Sequence, residues 1–191
     1  MLILVAVVSF LLGSVPFGLV ITRAMGLGDL RRIGSGNIGA TNVLRTGSKA
    51  AALATLICDV GKGAFAVLVA RSLFGELAAQ MAGVAAFAGH CYPIYLRFRG
   101  GKGVATFLGT VLALVWPVGL AVCATWILVA FVTRISSLAA LVAAAMAPVY
   151  ALLIGGEALA AGLAAMAAVI YLRHKGNIAR IAAGTEPRIG R

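Results

Sequence analysis

The chain has 191 residues, 62% of them hydrophobic and only 11% charged; 16 Lys+Arg against 5 Asp+Glu give a formal net charge of +11. A soluble domain carries about 25% charged residues, so this composition excludes an ordinary soluble domain, a disordered chain and a disulfide scaffold. Basicity alone would suggest nucleic acid, but a mean hydropathy of +1.07 leaves no polar face for it, and no nucleic-acid partner is expected. The expectation is an all-α polytopic membrane protein, surrounded by lipid and forming a single domain over residues 1–191. Cys58, Cys91 and Cys123 are widely spaced in apolar runs with no CxxC pair. They read as small buried hydrophobes, not as a zinc or redox framework, and no metal is expected.

A bilayer core of roughly 30 Å takes about 20 apolar residues in a helix. The first apolar run, Leu2 to Thr22, contains Gly13, Pro16 and Gly18; it lacks a basic start and is long enough to span, so it reads as a helix and not as a cleavable signal. Arg23 to Lys49 is too rich in Gly, Asn and Arg to cross lipid. A second run, Ala50 to Ala70, carries Asp59 and Lys62. A third, Leu77 to Leu96, carries His90 about two turns inside its far end, then Pro93. After the loop 97–103 comes Val104 to Thr133, long for one helix and short for two, with Trp116-Pro117 and Gly119 as a plausible turn. The last runs are Ile135 to Ile154 and Ala158 to Leu172, before a basic tail, Arg173 to Arg191.

Charge placement arbitrates the ambiguous stretch, because cytoplasmic loops collect Lys and Arg. If 104–133 is split, there are about seven spans, and every Lys and Arg except Arg71 and the intramembrane Lys62 falls on one side. An unsplit helix would divide them almost evenly. About seven transmembrane helices are therefore expected, some short or kinked, with the N-terminus outside and the C-terminus cytoplasmic.

Three segments hold nearly all the unusual polar residues, all on the cytoplasmic side. The first is Arg32-Ile33-Gly34-Ser35-Gly36-Asn37-Ile38-Gly39-Ala40-Thr41-Asn42, followed by Arg45. The second is Gly89-His90, then Phe98-Arg99-Gly100-Gly101-Lys102-Gly103-Val104-Ala105-Thr106; the third is Arg173-His174-Lys175-Gly176-Asn177-Ile178, then Gly184-Thr185-Glu186. Glycines let backbone N–H groups approach an anion. Arg45 and Lys102 supply countercharge, and Gly103 opens a helix whose N-terminus favours phosphate. This is not a Walker A loop, since Leu96 and Gly103 stand where Gly and Ser or Thr are required. Connecting turns also use glycine for purely conformational reasons, but three such segments on one face point to one site at the membrane surface.

Individual residues leave alternatives open. His174 and Asn177, at i and i+3, share a face if the last helix continues past Leu172. His174 can be a general base, a phosphate-binding cation or an interfacial residue. Ser35 can be a nucleophile, a phosphate donor or a turn residue, and no G-x-S-x-G elbow surrounds it. Asp59 and Lys62 either pair with each other or face a functional cavity. His90 is either a buried hydrogen-bonded residue or a functional one. Arg31 and Arg32 most simply bind anionic headgroups.

Together the motifs resemble those of the bacterial acyl-phosphate:glycerol-3-phosphate acyltransferases, the PlsY family. The segment 34–42 with Arg45 resembles the first family motif, Asp59-Val60-Gly61-Lys62-Gly63 its D-x-x-K-G element, Gly89–Pro93 with Gly100–Thr106 the second motif, and His174–Ile178 with Gly184–Glu186 the third. Arg97 and Arg99 depart from the pattern without touching a motif residue. The resemblance covers nearly the whole chain. It implies transfer of a fatty acyl group from acyl phosphate to the 1-hydroxyl of glycerol 3-phosphate, giving lysophosphatidic acid and inorganic phosphate, the first acylation of phospholipid synthesis. It implies no cofactor, a bacterial cytoplasmic (inner) membrane location with the active site facing the cytoplasm, and functional partnership with an enzyme producing acyl phosphate. On this reading Ser35, His174 and Asn177 are catalytic. Gly34, Gly36, Asn37, Thr41, Asn42, Arg45, Lys62, His90, Gly101, Lys102, Gly103 and Glu186 bind substrate. Direct one-step transfer is expected, with His174 or a donor phosphate oxygen taking the proton. The alternative from another class is a small anion or phosphate transporter.

Overall fold

The computed structural model describes residues 1–154 and 156–190; Arg191, the end of the expected basic tail, lies outside the described residues. Among them the chain forms ten α-helices, three short 3-10 turns and no strand: α1 (Leu2–Gly13), α2 (Phe17–Ala24), α3 (Ala40–Val43), α4 (Lys49–Phe74), α5 (Glu76–Cys91), α6 (Val104–Leu114), α7 (Trp116–Thr133), α8 (Ser136–Ile154), α9 (Glu157–Arg173) and α10 (Lys175–Ala182). They fall into two compact units, Met1–Leu114 and Val115–Arg191.

In the first unit, Pro16 separates α1 from α2, because it has no N–H to continue the ladder and its ring clashes with the preceding turn. Helix α4 starts at Ser48, whose hydroxyl accepts from the Ala51 N–H at 3.2 Å, and runs 26 residues to Phe74. It packs on α5 and α6, and α5 packs on α1. Ala66 and Ala70 of α4 meet Ala78, Ala82 and Ala86 of α5 and Val5 of α1 in one seam. Small side chains let helix axes approach closely, which matters where lipid offers no hydrophobic drive for association. Helix α5 stops at Cys91, two residues before Pro93, so His90 lies in its last turn and not two turns inside as the apolar run suggested. Pro disfavours a helical residue before it and so fixes the end.

Arg71 shows how a lone cation at the opposite helix end is used. Its guanidinium donates to the last carbonyls of α6, at Ala113 and, at 2.8 Å, at Leu114, and forms a bidentate pair with Glu76 at 2.8 and 2.9 Å. It therefore caps a helix C-terminus that lipid could not satisfy.

The second unit begins at the break the Trp116-Pro117 pair suggested. Val115 precedes α7, and Pro117 sits in the first turn, where its missing N–H costs nothing. Helix α8 packs between α7 and α9. Thr125 and Tyr150 hydroxyls bond at 2.9 Å across α7 and α8, and the Tyr171 hydroxyl of α9 donates to the Leu141 carbonyl at 3.2 Å. Helix α9 then turns by 65° into α10.

All six apolar runs form helices, with 104–133 divided between α6 and α7, but the helices differ in length. The α1–α2 stretch, α4, α7 and α8 are long and apolar enough to cross a bilayer, while α5, α6 and α9 are shorter. Ile3, Phe131 and Leu153 stay about four-fifths exposed, at 81%, 83% and 79%, as a lipid-facing surface requires. Replacing Arg71 by Met should lower stability by about 1–2 kcal/mol, the loss of charged hydrogen bonds at a partly wet helix end. Thermal unfolding in detergent measures it, and turnover of the folded fraction should be unchanged.

Candidate active site

The first glycine-rich segment is held from below and from within. Leu30, Ile38 and Val43 pack with Leu19 of α2 and Ala51 and Ala52 of α4, and Leu96 from the second motif's approach packs on the same cluster. The two loops thus share one apolar base. Within the first, the 2%-exposed Asn42 is the hub. Its amide nitrogen donates to the carbonyls of Leu30 (3.1 Å), Ile33 (2.9 Å) and Asn37 (2.8 Å), two N–H groups shared among three acceptors. Its Oδ1 accepts from the Ser35 N–H (3.1 Å), the Ser35 hydroxyl (3.3 Å) and the Arg45 guanidinium (3.4 Å). Asn42 is therefore spent on closing the loop. Gly34, Ser35, Thr41 and Arg45 are exposed on its surface, Gly36 and Asn37 are half-buried, and Asn37 Oδ1 accepts from the Gly39 N–H at 2.9 Å.

Beside this loop a groove of about 410 Å³ has an apolar wall of Pro16, Leu19, Val20 and Leu96, with Tyr95, Arg23 and Arg31 completing the lining. The Arg31 guanidinium is partly neutralised by Asp29, at 2.8 Å from Nη2 and 3.0 Å from Nε. Those side-chain bonds, with the Arg31 N–H as a further donor, hold the Asp29 carboxyl at about 2. Arg31 is thus less available to headgroups than its sequence position suggested, while Arg32 is exposed.

The second motif lies against the end of α5. The Gly101 N–H donates to the His90 carbonyl at 3.0 Å, and a side chain at Gly101 would occupy the place of the His90 imidazole. Gly103, with φ at 85°, lies on Phe87 and Cys91, and α6 begins at the next residue. Lys102, between them, is half-buried. Lys62, a sequence candidate for substrate binding, is buried: its ammonium lies 2.9 Å from Asp59 Oδ1 and donates to the Val15 carbonyl, at the α1–α2 break, at 3.0 Å. His90 Nδ1 lies 3.5 Å from the same carboxylate oxygen, an electrostatic contact longer than an ordinary hydrogen bond.

In the second unit the third motif is bent. The last helix does not continue past Leu172 through His174: α9 ends at Arg173, and His174 is the joint. Its Nδ1 lies 2.8 Å from the Ile170 carbonyl four residues back, a side-chain bond that competes with the helical ladder. A carbonyl only accepts, so Nδ1 carries the proton, and the neutral ring has its lone pair on Nε2. His174 and Asn177 are nonetheless both buried, at 2% and 6% exposure.

Gly184, at φ 69°, ends α10 with the Thr185 N–H on the Arg180 carbonyl and its own N–H on the Ile181 carbonyl. This Schellman turn sends the chain back. Glu186 then accepts from Asn177 Nδ2 at 2.5 Å, Ser137 Oγ at 2.7 Å and Arg180 Nε at 2.7 Å. Burial pushes its carboxyl up, but the three donors outweigh that and hold it below the ordinary value. Ser137 and Arg180 were not among the sequence candidates. A serine heading an apolar helix reads as a cap, and an arginine in a basic tail reads as an anchor.

The model of the family described as "Glycerol-3-phosphate acyltransferase" matches residues 3–184, across both units. The chain belongs to the glycerol-3-phosphate acyltransferase family. It is 63% identical to the glycerol-3-phosphate acyltransferase of Jannaschia sp. (strain CCS1), over 98% of this chain and 93% of that protein. It is 66% identical to that of Cereibacter sphaeroides (strain ATCC 17025 / ATH 2.4.3), over 100% and 90%. Among solved structures it is similar to the crystal structure of PlsY (YgiH), an integral membrane glycerol 3-phosphate acyltransferase. The glycerol 3-phosphate form matches with a TM-score of 0.93 at 36% identity over 99% of this chain and 96% of that one. The lysophosphatidic acid form matches with a TM-score of 0.92 at 35% identity over 99% and 95%. This acyltransferase is accordingly an all-α, multi-pass integral membrane enzyme.

Two measurements follow from these clusters. Asn42→Ala should reduce kcat/KM at least about 100-fold, roughly 3 kcal/mol, through loss of the loop's hub, with hydrogen exchange rising across residues 30–45. Glu186 has a folded pKa below its ordinary 4.5. Its anchoring of the tail is therefore complete above that value and lost as pH falls through the lower folded one. Exchange at residues 183–190 should rise on acidification, and Glu186→Gln should remove most of that dependence.

Proposed function

We propose that the acyl donor is an acyl phosphate and that the acyl group passes in one step to the 1-hydroxyl of glycerol 3-phosphate, both units serving one acyltransferase domain. The carrying observation is the loop closed by Asn42, which leaves Ser35 and Arg45 exposed on a glycine-rich turn suited to an anionic mixed anhydride. The groove beside it, apolar with Arg23 and Arg31 in its lining, suits a phosphorylated amphiphile. The related crystal structures, in a glycerol 3-phosphate form and a lysophosphatidic acid form, support the acceptor and the product.

In the step, the acceptor oxygen bonds to the acyl carbon and the bond from that carbon to the phosphate oxygen breaks. The hydroxyl proton passes to His174 Nε2 or directly to the departing phosphate, so the products are the ester and hydrogen phosphate. The mixed anhydride supplies the driving force, and no cofactor is invoked. Ser35 argues for direct transfer: its hydroxyl donates to Asn42 Oδ1, an amide oxygen that cannot take its proton, so Ser35 is not a primed nucleophile; swinging that one O–H from Asn42 to a substrate oxygen makes it a donor to the substrate. Gly34, Gly36, Asn37, Thr41 and Arg45 form the donor's cradle. Gly101, Lys102 and Gly103 hold the acceptor phosphate at the start of α6, with His90 behind them. His174 and Asn177 serve the acceptor hydroxyl, and Glu186 orients Asn177. Asn42 and Lys62 act by holding their loops. The asymmetry of basic residues supports seven spans, an outside N-terminus, and an active site on the cytoplasmic face of the bacterial inner membrane. There an enzyme making acyl phosphate would feed it.

The test is phosphate release from palmitoyl phosphate by detergent-purified protein. Release that depends on glycerol 3-phosphate and yields lysophosphatidic acid is expected, with no acylated Ser35 trapped after rapid quench. Ser35→Ala should lower kcat about 100-fold or more, as loss of one oxyanion donor does. Absence of turnover in folded protein, with anion flux on reconstitution, would overturn the reading in favour of a transporter.

A further inference from the structure

A buried carboxylate beneath the second motif has no part in the reaction as described. Asp59 is 1% exposed, on α4, and one oxygen, Oδ1, faces both the Lys62 ammonium at 2.9 Å and His90 Nδ1 at 3.5 Å. Neutralising Lys62 would require only the pair. The carboxylate also faces the imidazole across 3.5 Å at its Nδ1 edge, and the opposite edge is where the loop lies. A Cβ at Gly101 would fall on His90 Nε2, and the His90 carbonyl accepts the Gly101 N–H at 3.0 Å. The ring is therefore a spacer between a charge anchored in one helix and the backbone of the Gly100–Gly103 loop. Gly100 lies against Pro93 and the His90 carbonyl, so the loop is laid along the end of α5 at successive residues.

We propose that Asp59 is a positioning residue for the acceptor site: through His90 it sets the height of Gly101 and Lys102, and with it the fit to the phosphate of glycerol 3-phosphate. This rests on the assignment of that loop to the acceptor. A displacement of the order of an ångström in such a loop is enough to lengthen its hydrogen bonds to a bound phosphate beyond useful reach. The donor's cradle is closed by the hydrogen bonds of Asn42 itself, so its affinity should change less than that of the acceptor loop.

The experiment is steady-state kinetics of Asp59→Asn with palmitoyl phosphate and glycerol 3-phosphate varied separately. KM for glycerol 3-phosphate should rise about tenfold or more, while KM for palmitoyl phosphate and kcat at saturation stay within about twofold. In a cycle with His90→Asn the double variant should cost little more than the worse single one, since both interrupt one path. A fall in kcat at unchanged KM, equal rises in both KM values, or additive effects would overturn the proposal. Asp59→Asn leaves Lys62 without its partner, so it may be replaced, if it fails to accumulate, by Asp59→Glu. That variant keeps the pair but moves the carboxylate by one methylene, and it must give the same split. Titration of glycerol 3-phosphate binding to wild type and variant reads the loop directly. Failure of the wild type to use palmitoyl phosphate would count against the donor assignment alone, whereas equal binding by both proteins would count against Asp59.

Discussion

A carboxylate and an ammonium placed in an apolar helix have to find each other or find water. In this acyltransferase Asp59 and Lys62, one turn apart on α4, meet at 2.9 Å, and what is left of each is directed at neighbouring elements. The ammonium also holds the Val15 carbonyl that the Pro16 break leaves at the α1–α2 joint. The carboxylate faces the last turn of α5, where His90 supports the second motif. One ion pair thus ties three helices to the loop that carries Lys102. Removing one partner of such a pair strands the other charge in a medium that cannot solvate it, so each holds the other in place.

The same economy of polar groups runs through the rest of the molecule. Several of the scarce hydroxyls bond backward into their own helices, as Thr22 to Gly18, Thr55 to Ala51 and Thr125 to Ala121. Asn42 spends its whole amide on one loop, and Glu186 gathers three donors from α8 and α10. Polar side chains left exposed stand out against this background. Ser35 and Arg45 are exposed while each still gives a hydrogen bond to the Asn42 hub, so they tie the loop's surface to its interior.

The joint at His174 links structure to chemistry in the second unit. A helix running straight through would present His174 and Asn177 on one stripe; the 65° bend instead brings α10 back under α8, where Glu186 reaches Asn177 and Ser137. The bond between Nδ1 and the Ile170 carbonyl lies at this bend and places a proton on Nδ1.

Much of this was determined by the sequence alone. Apolar runs against an 11% charged content required a helical membrane protein, Pro16, Pro93 and Pro117 marked helix boundaries, and the order of the three glycine-rich segments carried the family. These features are local, and local rules of backbone conformation and burial read them directly. What the sequence left open were pairings between residues far apart in the chain or across a bend. That Lys62 is spent on Val15, that Asn42 is a hub and not a surface group, and that Ser137 belongs with Glu186 depend on distances of 47, 12 and 49 positions along the chain. A buried polar group must be satisfied by something, but only the tertiary packing decides by what.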